Sequence, residues 1–234
     1  MKTFKFLQTG VPLVICLCST LFADVYTVPS TEYDDTFLRS GSPNTNNDGG
    51  LVLVGTVNSS DVLRAVYTYD LSHIGAGATV SDVTFTLTQD SGDVNSVSEI
   101  ITVDLYELDQ AFDNGQATWN SYSTGNTWAT PGGDFTTKLA SASGNPRNTV
   151  SPELVFSSAG LTSAVEAAAG GNLYLLVKLE TEANDRRIFR LIDDSNPGRP
   201  SLEITYTAIP EPSTLMLLFL SGASGLLLLR KRSS

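Results

Sequence analysis

Cysteine is nearly missing from this chain of 234 residues. The only two cysteines, Cys16 and Cys18, lie within the first twenty positions. Every residue after Cys18 must therefore do without a disulfide, a thiol nucleophile or a thiolate metal ligand. In an oxidising compartment, the stability of such a domain has to come from packing.

Histidine is equally scarce, because His73 is the only one in the chain. A Ser-His-Asp relay would have no other base, and no serine is placed by the sequence as its nucleophile. The adjacent acids Asp34-Asp35 and Asp193-Asp194 would point to opposite faces of a strand, which does not suit a glycosidase pair. The sequence therefore predicts a noncatalytic protein.

Positive charge is the third shortage, with 14 Lys and Arg against 25 Asp and Glu. Residues 24–208 keep 9 of these cations and 24 of these acids, so this segment carries a net charge near −15. A field of that sign repels nucleic acid and anionic membrane surfaces. No nucleic-acid partner is expected. The cations outside the segment are Lys2, Lys5, Arg230, Lys231 and Arg232.

The first 23 residues have the features of a secretory signal peptide. Lys2 and Lys5 precede an apolar run, Val11 to Leu17, and Ala23 offers a small residue for signal peptidase. The alternative is an uncleaved N-terminal anchor, although the apolar run is short for a membrane span. Residues 1–23 are therefore predicted to be removed during export.

The other end of the chain contains an uncharged apolar stretch from Ser213 to Leu229. As a helix it would span roughly 25 Å, slightly less than the hydrocarbon core of a bilayer. The basic residues Arg230, Lys231 and Arg232 follow and would stop transfer on the cytoplasmic side. This pattern predicts a transmembrane helix that holds the precursor in the inner membrane transiently, with the rest of the chain outside.

The motif Pro210-Glu211-Pro212, followed by that apolar helix and basic cluster, resembles a PEP-CTERM sorting signal, here residues 209–234. The resemblance implies export, recognition by an exosortase, removal of the tail and release to the cell surface or extracellular matrix. An ordinary single-span anchor is the alternative.

Between the two signals, the dominant period of the sequence is two. Val83, Phe85 and Leu87 alternate with threonines, as in a half-buried strand. Only Leu161 to Ala169 has helical spacing. The sequence predicts an all-β fold, an antiparallel jelly-roll-like β-sandwich with one short helix. Strands are expected at 35–39, 51–55, 63–70, 83–88, 101–106, 153–156, 173–179, 187–192 and 202–206.

Four stretches in residues 24–208 together resemble a DNRLRE domain. They read DDTFLRSGSPNTNNDGGLVLVG, LRAVYTYDLSHIGAGATVSDVTFTLT, ATWNSYSTGNTWATPGGDF and GRPSLEITY. The resemblance implies a β-sandwich module of bacterial and archaeal extracellular proteins. It also implies carbohydrate binding, which includes anionic polysaccharide for some members.

Two sets of side chains are candidates for binding a ligand. Trp119 and Trp128 lie in a segment rich in Gly, Ser, Thr and Asn, where they could stack on sugar rings or cap the core under a long loop. Arg186 and Arg190 share one face of a predicted strand and could bind the carboxylates of an anionic polysaccharide. Pairing with nearby acids is the alternative for these arginines.

Calcium is a further candidate ligand, because one loop is rich in oxygen-bearing side chains. Its spacing matches no EF-hand loop, and an ordinary flexible loop is the alternative. The residues concerned are Asn44, Asn46, Asn47, Asp48, Gly49 and Gly50.

These observations predict an exported, noncatalytic protein of the cell surface or extracellular matrix. We expect it to be a carbohydrate-binding or structural component of extracellular polymer. A polysaccharide lyase or glycoside hydrolase is the alternative function.

Overall fold

A computed structural model describes residues 22–90, 96–147, 153–182, 186–193 and 198–209. Residues Ala23–Ile209 form one compact unit. Most of the predicted signal peptide and the predicted sorting helix lie outside the described residues. Within the described ranges, no helix is both long enough and apolar enough to cross a membrane.

The described ranges contain strands in nearly every segment and one helix, α1 (Ala159–Ala168). The strands are β1 (Asp24–Thr27), β2 (Tyr33–Arg39), β3 (Val52–Asn58), β4 (Asp61–Asp70), β5 (Thr79–Thr88), β6 (Ile101–Leu108), β7 (Ser121–Ser123), β8 (Asn126–Thr127), β9 (Phe135–Gly144), β10 (Glu153–Phe156), β11 (Asn172–Leu179), β12 (Arg187–Leu191) and β13 (Ser201–Thr207).

Two antiparallel sheets account for most of these strands. The smaller sheet has the order β1-β13-β5-β10, and the larger has the order β12-β3-β4-β11-β6-β9 with β2 also paired to β4. Their facing sides form the main core, in which Phe85 of the smaller sheet meets Tyr67 of the larger one edge-on, 5.4 Å between ring centroids. The predicted all-β antiparallel sandwich with one short helix is confirmed at this level.

The alternation of buried and more exposed residues is clearest in β5. Val83, Phe85 and Leu87 are fully buried, whereas the threonines between them are partly exposed. The helix begins where Ser158 accepts a hydrogen bond from the Leu161 backbone N–H, 3.0 Å away. Apolar side chains at helical spacing then bury one face of α1 against the sandwich.

Residues 109–134, which we call the cover segment, connect β6 to β9 across the outer face of the larger sheet. There they bury a second apolar cluster, to which Ala117 and Trp128 contribute from the cover segment. Leu38, Val66 and Leu176 contribute from β2, β4 and β11. Near this segment, the larger sheet is therefore buried on both faces.

The first and last strands of the sandwich pair with each other. β1 is antiparallel to β13, and Asp24 stands opposite Tyr206.

The two sheets are also connected directly, because Gln89, just after β5, forms a β-bridge with Leu191 of β12.

Candidate functional site

Arg64 connects the cover segment to the larger sheet. Its Nε and Nη2 donate to the two carboxylate oxygens of Glu182, each at 2.8 Å, and its Nη1 donates to the Gly132 carbonyl, also at 2.8 Å. The guanidinium carbon lies 4.9 Å from the centroid of the Trp119 ring and 5.2 Å from that of Phe135. Stacking on aromatic rings and a bidentate ion pair thus hold the guanidinium group of Arg64 in place.

The two tryptophans take up packing positions in the cover segment. Trp128 is 4 % exposed, donates from Nε1 to the Thr118 carbonyl at 2.9 Å, and lies 5.4 Å from Tyr122 between ring centroids. Trp119 is half-buried and lies over Arg64. These positions favour the interpretation that both rings cap an apolar cluster, rather than offering their faces to a sugar.

A groove of about 440 Å³ opens beside Arg64, where the cover segment enters β9. The Phe135 ring and the side chains of Asp109, Gln110, Thr130, Asp134 and Thr136 line it. It combines an aromatic side chain with hydroxyl, amide and carboxylate groups, which is the chemistry that sugar hydroxyls and ring faces require.

A turn at residues 131–134 shapes one wall of this groove. Asp134 accepts hydrogen bonds from the backbone N–H groups of Ala129 and Thr130, both at 2.8 Å. Gly133 has a φ of 103°, and a Cβ there would approach Leu176 to 2.8 Å. Glycine is therefore favoured at this position chiefly by its backbone conformation.

The two lysines on this outer face, Lys138 and Lys178, both lie close to acidic side chains. Lys138 Nζ lies 2.9 Å from Asp104 Oδ1, and this hydrogen bond raises the pKa of Lys138. Lys178 Nζ lies 3.8 Å from Glu182 and donates to the Leu179 carbonyl at 2.8 Å. Burial lowers the pKa of Lys178. The lysines beside the groove therefore do not form a cationic surface.

The predicted arginine pair is on or beside β12. Arg186 is exposed just before the strand, and Arg190 is half-buried opposite Leu53. Arg187 forms an ion pair with Glu99 at 2.8 Å, a partner that the sequence pattern did not suggest. The role of Arg186 and Arg190 in binding an anionic ligand stays a prediction.

His73 and the adjacent acids Asp34 and Asp35 are among the described residues considered for catalysis. His73 is exposed and stacks on the Tyr26 ring, 4.4 Å between centroids. Tyr26 donates to the Glu32 carboxylate, and its pKa is raised, first by burial and then by this hydrogen bond. Asp34 is exposed, whereas Asp35 is buried in β2, in line with the alternation of strand side chains.

The predicted calcium loop uses its amides in the protein's own hydrogen bonds. Asn44 accepts from Asn120 at 2.8 Å, and Asn47 donates to the Phe37 carbonyl at 3.0 Å. Asn46 donates to the carbonyls of Asn114 and Ala117 at 2.7 and 2.8 Å. In the described part of the chain, no group of three or more His, Cys, Asp and Glu side chains is arranged for a metal ion. The loop therefore fastens the cover segment to β2 instead of wrapping a cation by itself.

Comparison with known proteins identifies the end of the chain. Residues 208–232 match the PEP-CTERM protein-sorting motif. The chain is accordingly an exported substrate of an exosortase and is anchored in the membrane before cleavage. No curated protein matches the chain.

Proposed function

We propose that the exported protein, once freed of its tail, is a noncatalytic component of the cell surface or extracellular polymer that binds carbohydrate. The PEP-CTERM match supports delivery to that compartment. The four stretches that resemble a DNRLRE domain support the choice of carbohydrate as the ligand.

The groove beside Arg64 is the observation that carries this proposal. Asp109 and Asp134 place two carboxylates around the Phe135 ring, while Glu182 already neutralises Arg64. Such a lining suits the hydroxyl groups of a neutral sugar better than the carboxylates of a uronate, because like charges repel. The preferred ligand of the groove is therefore a neutral polysaccharide.

The arrangement of titratable groups supports a role without catalysis. His73 is stacked on Tyr26 at the surface, and Asp104 is hydrogen-bonded to Ser141 at 2.7 Å and paired with Lys138. Asp134 holds a turn through two backbone N–H groups. These groups have structural partners, whereas a general base has to reach a substrate proton.

Affinity electrophoresis in gels that contain neutral or anionic polysaccharide tests the proposal. Changing Asp109→Ala and Gln110→Ala together should weaken retention in the neutral gel by about tenfold, because each change removes a polar group that faces the ligand. Asp82→Ala, at an exposed position on β5, is the control and should leave retention unchanged.

Two results would contradict this assignment. Unchanged retention of the Asp109→Ala, Gln110→Ala protein would remove the groove as the binding site. Release of oligosaccharide products from the polymer would instead support the alternative, a polysaccharide lyase or glycoside hydrolase.

A further inference from the structure

The sandwich ends directly beside the sorting motif. Thr207, the last residue of β13, is paired with Thr79, the first residue of β5. Ile209 still contacts the domain, because a Cβ added at Gly77 in the turn before β5 would lie 2.8 Å from its Cδ1. The next residue in the sequence is Pro210. The motif Pro210-Glu211-Pro212 is therefore joined to the folded domain without a spacer.

Covalent geometry limits the distance between this motif and the sandwich. A fully extended chain advances at most about 3.6 Å per residue, so Pro212 can be no more than about 11 Å from Ile209. An α-helix with its side chains has a diameter of about 10–12 Å. An exosortase that holds the motif through even one helix therefore also faces the end of the sandwich.

Strand pairing determines which residues form that end, which we call the motif end. Asp24 stands opposite Tyr206, Asn172 stands opposite Asp70, and residues 71–78 connect β4 to β5. The motif end accordingly comprises residues 24, 70–79, 172 and 206–209. Small side chains predominate in its turn, which lets another protein approach the backbone closely. They are Ser72, Gly75, Ala76, Gly77 and Ala78.

The fixed charges of the motif end are negative. Asp24 is exposed, and hydrogen bonds from Ser72 lower the pKa of Asp70, so the Asp70 carboxylate stays ionised at neutral pH. None of these described residues is a Lys or an Arg. Arg39 and Arg199 lie instead at the opposite end, beside the start of β4 and just before β13. The sandwich therefore presents a negative end to whatever binds the motif.

We propose that the exosortase binds the motif end of the sandwich as well as the linear motif, through positively charged side chains of its own. Two observations support that partner: the motif follows the domain without a spacer, and the end beside it carries acids but neither Lys nor Arg. Opposite charges guide such a contact and fix its orientation. An anionic lipid surface is repelled by the same carboxylates. Contact at two places holds the precursor in one orientation while its tail is cut.

Conversion of the full precursor in a pulse–chase experiment tests this contact. Thr79→Arg combined with Asp82→Arg places cations at exposed positions of β5 close to Thr207. Ser59→Arg combined with Glu153→Arg makes the same change in charge at exposed positions of the opposite end and is the matched control. The first pair should slow conversion at least about fivefold, whereas the control pair should keep the rate within about twofold. Both proteins should unfold at the same temperature as the unchanged chain in a nonionic detergent.

A spacer tests the same contact without any change in the sandwich. Eight Gly and Ser residues inserted between Ile209 and Pro210 would separate them by about 16 Å on average and lower the effective concentration of the motif end at the enzyme. Conversion should then slow by about threefold or more. If the exosortase recognises only the linear motif, the added length leaves the rate unchanged or raises it.

Three results would overturn the proposal. The first is conversion of the spacer protein as fast as that of the unchanged precursor. The second is equal slowing by the control pair and by the pair at Thr79 and Asp82. The third uses vesicles that carry the exosortase and little anionic lipid. Recovery of the rate for the Thr79→Arg, Asp82→Arg protein in these vesicles would assign the effect to membrane attraction instead.

Discussion

Arg64 and Glu182 form a bidentate ion pair on the outer face of the larger sheet, with both N–H···O distances at 2.8 Å. The two side chains are only 13 % and 15 % exposed, so water screens the pair weakly. The same guanidinium also binds the Gly132 carbonyl of the cover segment. One arginine therefore couples the stability of the sheet to the position of the segment that covers it.

Arg64→Met should lower the free energy of unfolding by about 3 kcal/mol, because Glu182 would be left partly buried without its partner. Urea unfolding measures this change. Arg147→Met, at an exposed loop position, should change stability by less than about 0.5 kcal/mol. The double variant Arg64→Met, Glu182→Leu should recover part of the loss. No recovery would mean that lost stacking on Trp119, rather than the unpaired charge, dominates.

Single-tryptophan proteins should distinguish the environments of Trp119 and Trp128. In Trp119→Phe, the remaining Trp128 should emit at shorter wavelength and resist acrylamide quenching, because it is 4 % exposed. In Trp128→Phe, the remaining half-buried Trp119 should be quenched more strongly, and loss of the hydrogen bond to Thr118 should cost about 1–2 kcal/mol. Equal quenching in the two variants would contradict the burial of Trp128.

The strands could be predicted where apolar and polar residues alternate strongly. Every strand expected from the period of two is present, although β5 begins four residues earlier and β3 ends three residues later than expected. Strand β9 carries no such signal, because its sequence FTTKLASASG offers only Leu and Ala to the main core. Its place is set by pairing with β6 rather than by its own hydrophobicity. Strand β1 is short and mostly exposed, so it too lacks a local signal.

Acid should destabilise the protein partly through Asp61. Hydrogen bonds from Arg39 chiefly, and from the Gly41 backbone N–H, hold the pKa of Asp61 below its ordinary value of 3.8. Its contribution is therefore fully present above that value and is lost as pH falls through the lower, folded pKa. Urea unfolding between pH 7 and pH 3 should show a shallower acid decline in Asp61→Asn. An identical decline in Asp61→Asn and the unchanged protein would contradict this; Asp82→Asn is the control.

Arg186 and Arg190 remain the predicted site for an anionic polysaccharide. Changing both to alanine should abolish retention in alginate or pectate gels without lowering the melting temperature, if their guanidinium groups bind uronate carboxylates. Arg147→Ala removes one exposed positive charge elsewhere and should have little effect. Retention that survives the double change would exclude the arginine pair. Loss on changing Trp119 instead would place the anionic ligand beside the cover segment.

Processing at both ends can be read from the masses of the exported protein. We expect a product that begins near Asp24 and lacks the apolar tail, because the chain is an exosortase substrate. Replacing Pro210-Glu211-Pro212 with alanines should leave an unprocessed, membrane-bound precursor. Replacing Ser233-Ser234 instead, which spares the motif and the basic cluster, should allow normal processing. A tail retained in the stable form of the unchanged protein would favour a permanent anchor.

The candidate binding residues were harder to predict than the strands. The groove depends on contacts between Arg64 in β4, Phe135 in β9 and the cover segment, and these residues are far apart in sequence. Likewise, nothing in the predicted calcium loop indicates that Asp48 shares the amide of Asn114 with Asp34. Local composition can indicate a residue type that suits a ligand. It cannot indicate which distant residues the sheet pairing brings beside it.

The pairing of Asp24 with Tyr206 sets the timing of folding during export. A chain that crosses the membrane N-terminus first delivers β1 at the start, but its partner β13 emerges only at the end. The edge of the smaller sheet must therefore wait for residues 201–207, which directly precede the sorting motif. The completed sandwich first becomes possible when the tail is already entering the bilayer. Membrane retention before cleavage thus gives the domain an interval in which to finish folding before it is released.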